Sequence, residues 1–204
     1  MKKQFIAAAA IALGATSLMG ASAQADGHTL ADALLADERG FDDNQNDFDI
    51  VTEALLAQDA DGSYLFPGLV AAATDSEATL TVFLPTDKAF RILVEDLGLG
   101  SIKDEEALFG AIVATVGVDR VGQILAYHIV PIIATSEDVL DLGNGAQVPT
   151  VEGSTFTLDF KGKKPQIRLA DEAGPGRDPI VRTVDAVEAD NGVAHVIDRV
   201  LIPA

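Results

Sequence analysis

The chain has 204 residues, with 32 Asp and Glu, 14 Lys and Arg, and no Cys. The lack of cysteine excludes a disulfide scaffold and a zinc site built on Cys ligands. A formal net charge of −18 argues against a nucleic-acid binder, because such proteins carry clusters of Lys and Arg. A hydrophobic content of 48% is too high for a disordered chain. These values fit one acidic globular domain.

Residues 1–25 have the organisation of a secretory signal peptide. Lys2 and Lys3 precede an apolar run over residues 5–20, and Ala23-Gln24-Ala25 has the small-residue pattern of a cleavage site. The alternative is a membrane anchor, but the run is shorter than the roughly 20 apolar residues that a bilayer requires. We therefore predict an exported protein, periplasmic or extracellular, with no stable membrane anchor.

Residues 26–47 are predicted to form an acidic leader or linker, because they are rich in Asp, Asn and Gly. Four residues in and after this segment have the spacing of positions 1, 3, 5 and 12 of an EF-hand calcium loop: Asp42, Asn44, Asn46 and Glu53. Position 6 of such a loop should be glycine and is Asp47 here. We therefore predict solvated residues and helix caps, with no metal and no cofactor.

The next part of the chain has mainly helical periodicity. Its apolar spacing predicts helices over residues 48–55, 69–73, 88–97, 104–116 and 119–125. Asp47 or Asp49 is placed to cap the first of these helices. A β-branched apolar run over residues 79–84 predicts one strand among them.

The rest of the chain consists of short β-rich runs separated by Gly, Asn, Pro and Asp. The predicted strands cover residues 126–133, 147–151, 155–160, 166–170, 180–184 and 193–202. Helices that precede strands in this way indicate an α+β fold, with the helices packed on one side of a largely antiparallel sheet system.

The sequence contains no Gly-x-Ser-x-Gly elbow, no phosphate-binding loop and no His-Glu-x-x-His motif. His128 and His195 lie in apolar runs that are predicted to be strands. A triad or metal site formed from these two residues stays open. A histidine among aliphatic residues is more commonly buried, with its ring nitrogens hydrogen-bonded. We expect no enzymatic activity.

Three segments resemble the signature segments of the fasciclin domain family. Residues 81–90 (TVFLPTDKAF) resemble its first box, and residues 191–203 (NGVAHVIDRVLIP) resemble its second. Between them, residues 124–131 (ILAYHIVP) resemble its Tyr-His segment. The resemblance implies a single fasciclin-type domain over residues 48–204, a wedge of short, mostly antiparallel strands flanked by helices.

The resemblance also implies an exported, non-catalytic adhesion or interaction module that binds a protein, matrix or envelope component. The family's integrin-binding activity is attributed in part to the Tyr-His segment, which Tyr127 and His128 match here. An Asp-Ile pair that shares this role in the family is replaced by Ala186-Val187, with Asp185 shifted by one position. An integrin-like contact through an Asp is therefore not expected.

The resemblance and the strand pattern give six further residues structural roles: Thr86, Asp87, Asn191, Gly192, His195 and Asp198. One of the first two is predicted to cap the helix that follows the first predicted strand. The Asn-Gly pair is predicted to form a tight turn with positive φ. The histidine is predicted to point inward, and the last aspartate to face away from the neighbouring arginine.

Three functions make different structural predictions. An interaction module needs an exposed apolar or aromatic patch, and a helical elaboration over residues 102–123 is a candidate partner surface. Five aromatic residues are candidates for such a patch: Phe41, Phe48, Tyr64, Phe66 and Phe109. The alternative, an envelope protein that holds a small ligand near the helical half, needs a concave apolar pocket. An enzyme needs perturbed titratable groups converging in a cleft.

Export can be tested directly. We expect mass spectrometry of the exported protein to find Asp26 at its N-terminus, because the small residues at positions 23 and 25 match the cleavage pattern. Recovery of an intact Met1 terminus in the membrane fraction would instead show an anchor.

Overall fold

In a computed structural model, residues 28–36, 40–42, 44–162, 166–171 and 177–204 are described. The predicted signal peptide lies outside these residues. The helices are α1 Leu30–Leu35, α2 Asp49–Leu56, α3 Pro67–Thr74, α4 Asp87–Asp96, α5 Glu105–Val116, α6 Val118–Tyr127 and α7 Ser136–Leu142. The strands are β1 Leu80–Pro85, β2 Ile129–Val130, β3 Gln147–Pro149, β4 Thr155–Lys161, β5 Gln166–Ala170, β6 Val181–Ala189 and β7 Gly192–Ile197.

Four strands form the central sheet in the order β2-β1-β7-β6. β1 pairs with β2 in antiparallel orientation and with β7 in parallel orientation, with Leu80 opposite Gly192 and Pro85 opposite Ile197. β6 and β7 form an antiparallel hairpin with irregular register. The prediction of mostly antiparallel strands is confirmed, and the β1–β7 pair is the parallel exception.

The two faces of the central sheet bury different partners, because side chains alternate along each strand. On one face, Leu84 joins the core formed by α2, α4, α5 and α6. On the other face, Phe83 and Ile197 join residues of β4, β5 and α7. The predicted helical layer on one side of the sheet is therefore present, but α7 packs on the opposite side.

The second sheet has three strands in the order β3-β4-β5, all antiparallel. Phe156, Leu158, Ile167 and Leu169 alternate along β4 and β5 and are buried toward the central sheet. The ring of Phe83 meets the ring of Phe156 edge to face at a centroid distance of 5.2 Å.

The segment predicted as a linker packs on the domain where it is described. Leu30 is buried with Leu80, Ile129 and Ala194, so α1 covers part of the central sheet. The amide of Leu30 donates to Asn191 Oδ1 at 2.8 Å. The apolar side of α1 is thus buried against the sheet, while His28, Asp32, Leu35 and Ala36 stay exposed. The packed unit therefore includes residues before the predicted boundary at residue 48.

The structure differs from the predicted secondary structure in four places. Two are strand ends: β7 ends at Ile197 and not at residue 202, and β6 extends to Ala189 and does not end at residue 184. Residues 126–133 were predicted to form one strand, but they contain the end of α6 and the two-residue strand β2. The first apolar residues of this run belong to the buried side of α6, and only the later ones form a strand. α7 was not predicted, although Thr135 and Asp138 form a capping box at its start.

The helical residues 102–123 contribute one side to the core and leave the other side exposed. Leu108, Ile112 and Val121 from this region are buried in the main helical cluster. Among the described residues, no single helix is long and apolar enough to span a bilayer, whereas α5 and α6, bent by 105°, meet the criterion of length and composition only as a pair.

Gly192 gives a test of the packing between β1, β7 and α1. A Cβ atom at this position would lie 2.2 Å from the carbonyl oxygen of Leu80 and 2.8 Å from Leu30 Cδ1. We expect Gly192→Ala to lower the free energy of unfolding by about 2–3 kcal/mol, since backbone must move to admit the methyl group. Chemical denaturation measures this change.

The matched control is Gly110→Ala in α5, where an added Cβ meets nothing within 4 Å. This variant should be neutral, or more stable by up to about 1 kcal/mol, because alanine favours the helix. Equal effects of the two substitutions would show that the close approach at Gly192 is unimportant.

Candidate functional site

Residues 131–135, which we call the strap, cross the central sheet on the face opposite the main helical layer. Thr81 Oγ1 in β1 donates to the carbonyl oxygen of Ile132 at 2.7 Å and accepts from the amide of Ala134 at 2.8 Å. The carbonyl of Ala134 lies 2.9 Å from His195 Nε2 in β7. Just after the strap, the amide of Ser136 donates to Asp185 Oδ1 in β6 at 2.9 Å. Side chains from three strands therefore fix the strap.

His195 is buried, which confirms the prediction that it points inward. Its Nδ1 accepts from the amide of Asp185 at 3.0 Å, so Nε2 carries the proton that is donated to Ala134. Both ring nitrogens are thus occupied by backbone partners. The residue holds together β6, β7 and the strap.

Asp185 lies at the irregular part of the β6–β7 hairpin. Its φ is 48°, a left-handed value that is uncommon for a residue other than glycine. The amide donates to His195 and the carboxylate accepts from Ser136, so the local structure holds this conformation. Asp185, the aspartate shifted by one position from the family's Asp-Ile pair, therefore makes its hydrogen bonds within the fold.

Tyr127 and His128 are buried at the C-terminal end of α6. The hydroxyl of Tyr127 donates to the carbonyl oxygen of Thr155 at 3.0 Å. His128 Nδ1 lies 2.7 Å from the carbonyl oxygen of Ile124, and Nε2 accepts from the amide of Leu201 at 2.9 Å. Neither side chain is accessible to a partner in this structure, which is at odds with direct binding through them.

Burial of His128 lowers its pKa to about 4. The hydrogen bond to the Ile124 carbonyl favours the charged form and raises the pKa, but its effect is smaller. The neutral ring donates from Nδ1 and accepts at Nε2, a pairing that the imidazolium could not keep. His128 and His195 each use their own partners, so the structure does not bring them into one site.

The other signature residues connect separate segments. Asn191 is fully buried, and its Nδ2 donates to the carbonyl oxygens of Ala73 and Asp75 at 3.1 and 3.0 Å. The turn before β7 consists of Asp190 and Asn191, and the predicted positive φ at Asn191-Gly192 is wrong. Gly192 is required by close packing and not by its backbone conformation.

Asp198 joins the start of β6 to the chain after β7. Its Oδ1 accepts from the amide of Ile180 at 2.8 Å, and its Oδ2 pairs with Arg182. Arg199 instead pairs with Asp96 at 3.1 Å. The prediction that the two neighbours face different ways is confirmed.

The two predicted helix caps have different outcomes: the N-cap position predicted for α4 is confirmed at Thr86, and the one predicted for α2 is wrong. Thr86 occupies the N-cap position of α4 without a side-chain bond to its own helix. Phe48, and neither Asp47 nor Asp49, occupies the N-cap position of α2. Asp87 Oδ1 accepts from the amide of Ile50 at 3.0 Å, so α4 supplies the acceptor for the first turn of α2.

The exposed large apolar side chains of the described residues are all aliphatic, and they include Leu140 and Leu142 of α7 at 45% and 51%. Ile132 and Ile133 of the strap are 49% and 44% exposed, and Val151 and Val184 are each 44% exposed. Val151 lies beside β2 through its amide bond to Ile129, whereas Val184 precedes Asp185 in β6. We call these four residues the strap surface. The five candidate aromatic residues, by contrast, are half-buried.

A half-open cleft of about 290 Å³ lies between α4, α6 and residues 199–202. Leu93, Val116 and Ile124 contribute apolar surface to it. Asp96 contacts both Arg199 and Arg177, whereas Arg120 donates to the carbonyl oxygens of Pro203 and Ala204. The cleft therefore has the apolar lining that a small ligand needs, while two of its arginines are engaged with an acid.

His128 predicts a pH dependence of stability. The unfolded histidine titrates near 6.5 and the folded one near 4, so the unfolded state binds protons more strongly. The stabilisation is complete above pH 6.5 and is lost, up to about 3 kcal/mol, as pH falls toward 4. In His128→Gln, an amide can still donate to Ile124 and accept from Leu201 without titrating.

We expect denaturation curves between pH 7.5 and 4 to show a steeper loss of stability in the wild type than in His128→Gln. Raised pKa values at Asp87 and Glu105, caused first by burial, favour folding at low pH equally in both proteins. If the free energy of unfolding fell equally with pH in the wild type and in His128→Gln, His128 would not be a buried neutral imidazole.

Comparison with known proteins identifies the relatives of the chain. The model of the fasciclin domain family matches residues 65–203. The protein sll1483 of Synechocystis sp. is 31% identical over 160 residues, which are 72% of this chain and 73% of that protein. The uncharacterized protein sll1735 of Synechocystis sp. is 30% identical over 132 residues, covering 62% of this chain and 75% of that protein.

Among solved structures, a FAS1 domain pair from the insect cell adhesion molecule Fasciclin I is similar to this chain. The TM-score is 0.44 and the sequence identity is 22%, over 65% of this chain and 39% of that chain. The match to the family model includes all three signature segments, and it covers more than half of the chain. The chain therefore belongs to the fasciclin domain family, whose domains act as adhesion and protein-interaction modules.

Proposed function

We propose that this protein is an exported, non-catalytic adhesion module that binds a protein or matrix component of the cell envelope or exterior through the strap surface. The observation that carries the proposal is the exposure of Ile132 and Ile133. They lie on a segment that side chains of three strands anchor through hydrogen bonds. Export is supported by the predicted signal peptide and by the usual secreted location of fasciclin domain proteins.

The anchoring of the strap favours binding. A segment fixed by buried hydrogen bonds loses little conformational freedom when a partner docks, so less of the contact energy is lost to ordering. The polar anchors Thr81 and His195 are buried, which leaves the aliphatic side chains of the strap to face outward. Apolar contact also suits a chain with a net charge of −18, whose field repels acidic surfaces.

The Tyr-His segment has an indirect role in this proposal. Tyr127 and His128 fix the chain immediately before β2, and β2 leads into the strap. We infer that they position the strap surface and do not contact the partner themselves. Their substitution would then weaken binding together with stability, whereas substitution of the exposed strap residues would weaken binding alone.

The cleft beside α4 and α6 favours a second candidate function, the holding of a small ligand in the envelope. Its size and its apolar lining would suit a small, mainly apolar molecule. Native mass spectrometry of protein purified from the envelope fraction tests this alternative, since a bound ligand would add a discrete mass to the mature chain.

The strap surface can be tested with the double variant Ile132→Asp/Ile133→Asp. We expect its binding to isolated envelope preparations of the producing cells to fall by at least about tenfold, because two charges would replace apolar contacts. Co-sedimentation of labelled mature protein measures binding, and thermal unfolding checks that the fold is retained.

The matched control is Leu35→Asp/Leu99→Asp, since these leucines are both 39% exposed and lie outside the strap surface and the cleft. This control should bind like the wild type. Wild-type binding should also persist as monovalent salt is raised, because screening weakens charge pairs and not apolar contact. Unchanged binding of the strap variant, or a steep loss with salt, would refute the proposed surface.

A further inference from the structure

Five carboxylates converge where the leader meets three helices. Asp47 lies in the leader and Asp49 begins α2, whereas Asp87 begins α4 and Glu105 begins α5. These four are buried, and Asp42 lies half-buried beside them. Such a concentration of negative charge away from water is unfavourable unless cations or protons compensate it.

The hydrogen bonds of the described residues satisfy only a part of this cluster. Glu105 accepts from Arg91 Nη2 and from the amide of Asp42, both at 3.0 Å. Asp87 Oδ1 accepts from the amide of Ile50. These donors account for both oxygens of Glu105 and for one oxygen of Asp87.

Two buried oxygens lack a donor among the described residues. They are Asp87 Oδ2, in a residue with an exposed fraction of 0%, and Asp47 Oδ1, in a residue with an exposed fraction of 9%. Burial raises the pKa of Asp87 well above its usual range, and contact with the Asp47 carboxylate raises it further. Without a cation, a proton on Asp87 compensates the contact between these two carboxyl groups. The two buried, unpartnered oxygens mark a place where a cation can take over that compensation.

The oxygen positions match a large, hard cation. Carboxylate oxygens of Asp49, Asp87 and Glu105 lie within 4.8 Å of one another, as do those of Asp42, Asp47 and Asp49. Two oxygens bound to one calcium ion, each at about 2.3–2.6 Å, are separated by at most about twice that distance. Calcium also accepts six to eight oxygen ligands in irregular geometry, whereas magnesium requires a near-ideal octahedron.

We propose that Asp47, Asp49, Asp87 and Glu105, with Asp42 at the rim, bind a calcium ion. The ion would link the leader to the first turns of α2, α4 and α5. This site differs from the EF-hand pattern in the sequence, because Asn44 Oδ1 accepts from the amide of Asn46 and Glu53 belongs to neither carboxylate group. It also replaces the expectation of no metal.

Calcium binding is tested with the mature protein after treatment with a chelator and its removal. We expect saturating calcium to raise Tm by about 5–10 °C, because a ligand at 100 times its Kd stabilises a domain of this size to that extent. Isothermal titration calorimetry with calcium chloride should show a stoichiometry of one, and magnesium chloride should give a smaller rise in Tm.

Asp47→Asn and Asp87→Asn should abolish the calcium-dependent rise in Tm. Each amide introduces a donor between the facing carboxylates, so without calcium both variants should be at least as stable as the wild type. Asp61→Asn is the control, since Asp61 is an exposed acid in a turn where it accepts from the amide of Ser63. This control should keep the full response to calcium.

Three outcomes would overturn the site. The first is no change in Tm and no heat of binding at millimolar calcium in the wild type. The second is a calcium response that survives in both Asp47→Asn and Asp87→Asn. The third is loss of the response in Asp61→Asn. None of these results bears on the strap surface, which lies on the other side of the central sheet.

Discussion

The parallel pairing of β1 with β7 connects parts of the chain that are far apart in sequence and sets the position of every neighbouring element. Leu80 lies opposite Gly192 and Pro85 lies opposite Ile197. The strands on either side, the helix α1 and the strap all take their places from this pair. The approach is so close at Gly192 that no side chain fits between its backbone and that of Leu80.

Buried polar side chains extend this pairing beyond the strands. Thr81 and His195 each bond to the strap, Asn191 bonds to α1 and to the end of α3, and Asp87 bonds to the first turn of α2. In each case a side chain satisfies a backbone group that no strand or helix of the chain pairs in its regular pattern. This arrangement suits a fold of short elements, because many backbone groups near their ends need partners from elsewhere.

The elements with strong local signals could be predicted from the sequence. β5 was predicted with its observed bounds and β4 within one residue, because apolar and polar residues alternate along them. The helix predicted over residues 104–116 is α5, with Asp104 as its side-chain cap. The inward position of His195 followed from the same alternation.

The features that could not be predicted depend on contacts between distant segments. A run such as residues 126–133 is apolar whether it forms a strand or the buried side of a helix, so periodicity alone does not decide between them. The partner of Asp87 lies in a different helix, and the strap is defined by three strands that are separate in sequence. The Thr135–Asp138 capping box was a usable local signal for α7 that went unrecognised.

β1 connects the two proposed sites and also separates them. Thr81, near its start, bonds to the strap, and Asp87, just beyond its end, lies in the carboxylate cluster. Six residues of extended chain span about 20 Å, so a partner on the strap and a cation in the cluster would not touch. Calcium would then act on the strap only through the stability of the domain, whereas partner contact would depend on the aliphatic side chains themselves. β1 thus separates the two sites: the carboxylate cluster, where a cation would compensate the negative charge, lies beyond the end of this strand, and the apolar strap surface lies near its start.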